Sequence, residues 1–282
     1  MIQAKGESNY VDGLESALYN GVITGVSLSG DKFFYENPLA THGVNHRAEW
    51  FGCACCPGNV TRFMQSVPAY AYATDNKNIY TNLYVEGNAV ISTEGNNIEL
   101  VQKTGYPWEG NVEIEVNPEH AQKFEMLLRI PGWAIDKPVP TDLYHYVDGK
   151  TNQISLSVNG KEVKLKTRGG YAVIDREWKA GDKIGLKMEM PVRRTQAHEK
   201  VWYDKGLLSM ERGPILYTLE AIDQNKDFVF DIVIPREAKI SSRFDEKLLG
   251  GIVVLEGNAY TVTKEGADEL KETPMTFKAI PY

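Results

Sequence analysis

Cys53, Cys55 and Cys56 are the only cysteines of the chain, and they stand together in the run Trp50-Phe51-Gly52-Cys53-Ala54-Cys55-Cys56-Pro57-Gly58-Asn59. An odd number with no distant partner excludes a disulfide framework, and neighbours this close rarely direct their Cβ atoms as a bridge requires. They are therefore free thiols, metal ligands or a reactive site. Pro57 has a fixed φ and no N–H to lose, which suits the first turn of a helix. The cysteines are accordingly expected at a helix N-terminus, where unpaired N–H groups and the positive end of the dipole favour a thiolate. A thiolate is both a nucleophile and a soft metal ligand. Packing of three small, soft side chains into a core is the competing reading, because free cysteine is among the most buried residue types. A tetrahedral zinc site needs four ligands, more than one tight turn supplies, so a remote group must complete it. Within the chain His42 and His46 are the candidates. A thiol redox role is disfavoured because the Cys-x-x-Cys spacing is absent.

The elements that must position these thiols follow from periodicity. Tyr10, Val11, Leu14, Ala17 and Leu18 form a helical stripe, with Ser8 or Asn9 as N-cap and Gly21 as stop, which predicts a helix over 9–20. Residues 22–35 shift to short apolar runs around Ser29-Gly30-Asp31 and read as a small hairpin ending at Tyr35. Tyr35, beside Asn37-Pro38, is a candidate hydrogen-bond partner for a polar ligand. A second amphipathic helix is expected over 57–66 from Val60, Phe63, Met64 and Val67, with Pro68 bending or ending it.

Beyond Thr74 the character becomes β. Strands are expected at 79–85, 89–93, 112–116, 124–130, 154–158, 163–166, 171–174, 184–190 and 207–210, separated by turn residues such as Asn159-Gly160, a hairpin signal. The fold class read from this pattern is mainly β: an antiparallel β-sandwich region of one or two sandwiches over 75–282, preceded by a short helical segment over 1–74. Trp108, Trp133 and Trp202 are either core residues or platforms for sugar stacking.

The 282 residues are 42% apolar and 24% charged, as expected of a folded globular protein. The net charge of −7 argues against a nucleic-acid or anionic-membrane partner, since phosphate binding needs a cationic surface. No apolar run is long enough to span a bilayer.

Three groups of residues resemble glycoside hydrolase family 127, the β-L-arabinofuranosidases. They are the stretch from Tyr10-Val11-Asp12-Gly13-Leu14-Glu15 to Gly21, then Phe34-Tyr35-Glu36-Asn37-Pro38-Leu39, then the cysteine run. The motifs Leu128-Arg129-Ile130-Pro131-Gly132-Trp133, Gly170-Tyr171-Ala172-Val173-Ile174, Met190-Pro191-Val192-Arg193-Arg194 and Glu211-Arg212-Gly213-Pro214 continue it in the same order. The resemblance implies that residues 1–74 are the last part of an (α/α)6 barrel catalytic domain and 75–282 its β-sandwiches. It further implies a bacterial, zinc-dependent retaining glycosidase acting on β-L-arabinofuranosides or related sugars, with a carbohydrate as substrate and a homodimer compatible with it. In the family a Glu and three Cys hold the zinc. Carried over, Cys55 is nucleophile and zinc ligand, Cys56 is a zinc ligand, and Tyr35 lies near the sugar site. Cys53 matches no assigned position. The family's Glu-x-Cys pair and acid/base Glu are expected before residue 1, so the chain reads as a fragment cut at both ends and inactive alone. The alternative is a β-sandwich carbohydrate-binding or assembly module with incidental cysteines, which needs neither zinc nor a reactive thiol.

Overall fold

The computed structural model describes residues 6–75, 77–265 and 269–282. It is mainly β, with its α-helices gathered in the N-terminal part. The first helix, Asn9–Ala17, is not stopped by Gly21; it continues as a π turn, Leu18–Val22, and a 3-10 turn, Ile23–Gly25. Asn20 in that extension donates from Nδ2 to Pro214 O at 2.8 Å and accepts from Leu216 N at 2.9 Å. Tertiary bonds thus override the local stop signal. Ser8 occupies the N-cap position without a side-chain cap bond. The chain is anchored there by the backbone, with Ser8 N donating to Gly169 O at 2.9 Å. The approach is so close that a Cβ on Gly170 would stand 1.8 Å from Ser8 Oγ, and Gly170 has φ +82°.

The expected hairpin over 22–35 is reduced to a single bridge, Val26 with Phe33, and Phe33 also bridges Ala48. Ser27, Ser29 and Asp31 hydrogen-bond one another across the turn, offering the backbone an alternative to a ladder. The second helix spans Cys55–Ser66, beginning two residues before the predicted start, and a separate turn of helix, Pro68–Ala71, has Pro68 in its first turn. Its stripe is only partly covered: Met64 is exposed, whereas Val67 packs with Val11, Ala71 and Leu83.

Strands Tyr72–Thr74, Ile79–Thr81, Gln122–Arg129, Tyr171–Trp178 and Thr167–Arg168 form one sheet in that spatial order. A second contains Gly87–Thr93, Asn96–Thr104, Asn111–Pro118, Asp182–Met188, Ile154–Val158 and Lys161–Glu162. Their inward residues, among them Ile98, Leu100, Ile114, Met126, Leu128, Trp178 and Ile184, share one core, so the two sheets face each other as a sandwich. Pairing is antiparallel except where Ile79–Thr81 runs parallel to Met126, Leu127 and Leu128. Asn159 and Gly160 both have positive φ, as a two-residue hairpin demands. The expected strand at 163–166 carries no ladder, while Asn96–Thr104 is a strand that the sequence reading lacked. A third sheet of eight strands runs from Tyr144–Tyr146 through Val192–Ala197, Leu208–Arg212 and Ile215–Thr218 to the long pair Ile252–Glu265 and Glu269–Pro281. Its two halves contribute Val192 and Met210 on one side, Leu255 and Phe277 on the other, to a common core. Trp133 is core, Trp108 half-buried against the third sheet, and Trp202 exposed.

Arg129 joins the first helix to the sandwich. Its guanidinium is fully buried, with Nη1 2.7 Å from Asp12 Oδ1, Nη2 bonded to Glu15 Oε1, and Nε donating to Asn82 O at 2.6 Å. Tyr106 Oη donates to Glu15 Oε1 at 2.6 Å, and Tyr171 Oη donates to Asn82 Oδ1 at 2.8 Å. Removing one member of a buried pair leaves the other charge uncompensated. Arg129→Met is therefore expected to cost about 3–5 kcal/mol in urea unfolding, more than any exposed ion-pair variant such as Lys271→Met. Glu211 offers a pH test. Its carboxyl is raised above the ordinary glutamate range, chiefly by burial, despite hydrogen bonds from Tyr146 and Ser209 and the nearby Arg193 charge. A raised folded pKa means a stabilising contribution present below the unfolded value and lost as pH rises through the folded one. Glu211→Gln should remove this loss, so its stability relative to wild type increases from acid to neutral pH in parallel urea titrations.

Candidate functional site

Cys55 and Cys56 are the first two residues of the helix Cys55–Ser66, with Ala54 as N-cap, so they lie inside the first turn rather than ahead of it. Helix N-terminal N–H groups and the dipole therefore act on both thiols. Neither sulfur is sealed in a core: Cys53 and Cys55 are exposed and Cys56 is half-buried. The sulfurs of Cys55 and Cys56 are 3.6 Å apart, and Cys56 Sγ donates to Tyr35 O at 3.9 Å. Tyr35 is half exposed, its ring edge-on to Phe51 at 5.4 Å.

The electrostatics separate the two thiols. Cys55 is lowered below the ordinary thiol range, first by its contact with the Cys56 thiol, with smaller contributions from the neighbouring Tyr35 hydroxyl and Cys53 thiol, against opposing desolvation. Cys56 is raised, first by its contact with the Cys55 sulfur and then by desolvation, its one S–H being shared between Cys55 Sγ and Tyr35 O. The Tyr35 phenol is raised, chiefly by the neighbouring Cys55 thiol. On these directions Cys55 is the thiol expected to ionise first. Asn59 Nδ2 donates to Cys55 O at 2.8 Å, and Arg62 is bonded to Asn59 Oδ1. A cavity of about 380 Å³ lies beside this turn, lined by Phe33, Trp50, Pro57, Gly58, Thr61 and Arg62 among others.

The donor set fits part of a zinc site. Two thiolates on one tetrahedral zinc, each about 2.3 Å from it, stand about 3.8 Å apart, close to the spacing of Cys55 and Cys56. Among the described residues no three His, Cys, Asp or Glu side chains are grouped to hold a metal. The proposed completion by His42 or His46 is therefore not realised; the His42 ring instead lies 4.4 Å from that of Phe230, where stacking competes with ligation.

Sequence reasoning brought Tyr35, Cys55 and Cys56 together but missed what holds them. The loop after Tyr35 is fixed by Asn37, whose Nδ2 donates to Thr24 Oγ1 at 2.6 Å and Gly21 O at 3.3 Å. Arg47 donates to Thr24 O at 2.7 Å. Asn37-Pro38 carried a turn signal; the Thr24 and Gly21 partners carried none.

Three domain descriptions of one family match the chain in order: the β-L-arabinofuranosidase GH127 catalytic domain over residues 1–69, the GH127 middle domain over 78–190, and the glycoside hydrolase family 127 C-terminal domain over 192–282. A curated relative, the non-reducing end β-L-arabinofuranosidase of Bifidobacterium longum subsp. longum, is 32% identical over 317 residues, covering 100% of this chain and 44% of its own length. A solved GH127 β-arabinofuranosidase is similar at TM-score 0.96 and 39% identity, over 100% of this chain and 44% of the other. A GH127 β-L-arabinofuranosidase from Geobacillus stearothermophilus T6 gives TM-score 0.88 and 34% identity, over 100% and 45%. The chain thus spans less than half the length of these relatives.

In reduced, metal-free protein near neutral pH, iodoacetamide is expected to alkylate Cys55 before Cys56. Cys56→Ala should slow the Cys55 reaction and move its pH–rate midpoint upward, because the donor that stabilises the thiolate is gone. Site-resolved peptide mass spectrometry measures both, and equal rates at the two positions would contradict the assignment.

Proposed function

The chain belongs to glycoside hydrolase family 127, and from that membership we propose that it is the thiol-bearing part of a zinc-dependent retaining glycosidase acting on β-L-arabinofuranosides or related sugars. The observation that carries the reading is the geometry at the helix start: Cys55 and Cys56 stand side by side in the first turn with their sulfurs 3.6 Å apart, neither sealed in a core, and Tyr35 O accepts from Cys56 Sγ. In this reading Cys55 and Cys56 are two of the ligands to a zinc ion, whose chemistry is to keep the sulfurs deprotonated at neutral pH without a neighbouring base.

The residues then have separable tasks. Cys55 Sγ attacks the anomeric carbon, forming a C–S bond as the C–O bond to the leaving group breaks. An acid protonates the departing oxygen; we assign that role to the Glu that the family pattern places before residue 1. Water then attacks the same carbon, the C–S bond breaks, and the two inversions leave the configuration retained. This is the double displacement of retaining glycosidases with a thiolate in place of a carboxylate. To Tyr35, half exposed on the loop beside the cysteines, we assign donation to a sugar hydroxyl.

The test uses a protein extended to the length of its relatives, assayed on an aryl β-L-arabinofuranoside. Cys55→Ser should lower kcat/KM by roughly a thousandfold or more, as removal of a covalent nucleophile does. The 282-residue chain alone should bind zinc weakly, having two of four ligands, and show no appreciable turnover. Turnover that survives Cys55→Ser would refute the nucleophile assignment.

A further inference from the structure

We infer that Tyr282 is a positioning residue for the thiol site: its phenol, carried by the third sheet, clamps the loop that holds Tyr35 against Cys55 and Cys56. The inference rests on the glycosidase reading for its consequence in turnover but on geometry alone for the clamp. Tyr282 Oη lies 3.1 Å from Asn37 O, 3.3 Å from Asn37 Oδ1 and 3.0 Å from Pro38 O. All three are acceptors, so the one phenolic proton is shared among them. The orientation of the Asn37 amide is settled independently. Gly21 O can only accept, so the atom facing it and Thr24 Oγ1 is Nδ2, which turns Oδ1 toward Tyr282.

Asn37 is thereby held from two sides: by the extension of the first helix, through Gly21 and Thr24, and by the third sheet, through Tyr282. Tyr282 is itself fixed, its N donating to Leu216 O at 2.9 Å while Pro281 pairs with Tyr217. Two residues before Asn37 stands Tyr35, whose carbonyl accepts from Cys56 Sγ at 3.9 Å. Outside the Phe33–Ala48 bridge this loop belongs to no ladder, so its placement depends on such side-chain bonds. The His42–Phe230 ring contact is a second grip by the C-terminal part on the same loop. The clamp explains how a β-domain that supplies no thiol can still govern the site: without the phenolic proton, three oxygens lose their donor and Asn37 is held only through Gly21 and Thr24, which loosens residues 35–38 beside the sulfurs.

The test is Tyr282→Phe in the whole 282-residue chain, reduced and metal-free, with iodoacetamide rates resolved at each cysteine. Losing one net hydrogen bond should raise the Cys56 rate relative to that of Cys53 about three- to tenfold. A merely structural role would lower the melting temperature and leave that ratio unchanged. Asn37→Ser, which keeps a small polar side chain, is the second variant and should raise the same ratio; it decides the matter if Tyr282→Phe fails to fold. In the length-extended protein, Tyr282→Phe should lower kcat severalfold with KM for the aryl β-L-arabinofuranoside nearly unchanged. A Cys56 to Cys53 ratio equal to wild type overturns the clamp. Complete absence of turnover in the extended wild-type protein would refute the glycosidase reading instead, and the alkylation ratio would still judge the clamp.

Discussion

A fully buried guanidinium bonded to two carboxylates of one helix is the constraint around which the molecule is arranged. Arg129 sits on an inner strand of the sandwich, and Asp12 and Glu15 are a turn apart on the first helix, so both face the same side and meet the two Nη groups together. Burying such charges is costly, and the cost is offset only because Asn82 O, Tyr106 and the two carboxylates satisfy nearly every donor and acceptor. A geometry this specific fixes where the helix lies and how it is rotated. From there the extension through Gly25 supplies Gly21 and Thr24 to Asn37, and thus sets the loop beside the cysteine helix.

The thiol site is in consequence a composite. The helix start exposes Cys55 beside Cys56, the loop brings Tyr35, and the third sheet braces the loop from the far end of the sequence. Each contribution is weak in isolation, since hydrogen bonds to sulfur and half-exposed phenols are worth little on a mobile chain. Their joint effect depends on rigid support, which the sandwich and its ion-paired helix provide.

Much of the fold was legible. Strands whose inward positions are Ile, Leu, Val or Phe alternate plainly, and Asn159-Gly160 announced its turn. Asn96–Thr104 was not read because Asn96 and Gln102 fill inward positions, bonded to His120 O and Val85 O respectively, where alternation calls for apolar residues. The pair Ile252–Glu265 and Glu269–Pro281 escaped because its exposed ends are Thr, Lys and Glu and its buried start is a continuous apolar run. Arg129 was visible as a motif residue, yet its partners lie 114 and 117 positions away, beyond any local rule. The chemistry-bearing cysteines were conspicuous for their spacing and their proline. What holds them, Asn37 above all, was not, because Tyr282 reaches it across 245 positions.

In the proposed reaction Cys55 Sγ is the atom that meets the sugar. Incubating the length-extended protein with an electrophilic epoxide analogue of L-arabinofuranose, then mapping the adduct by peptide mass spectrometry, addresses that contact directly. One sugar adduct is expected on Cys55, lost in Cys55→Ser and prevented by excess arabinofuranoside. A stable adduct on a carboxylate, or on Cys53 or Cys56 with Cys55 unmodified, would contradict it.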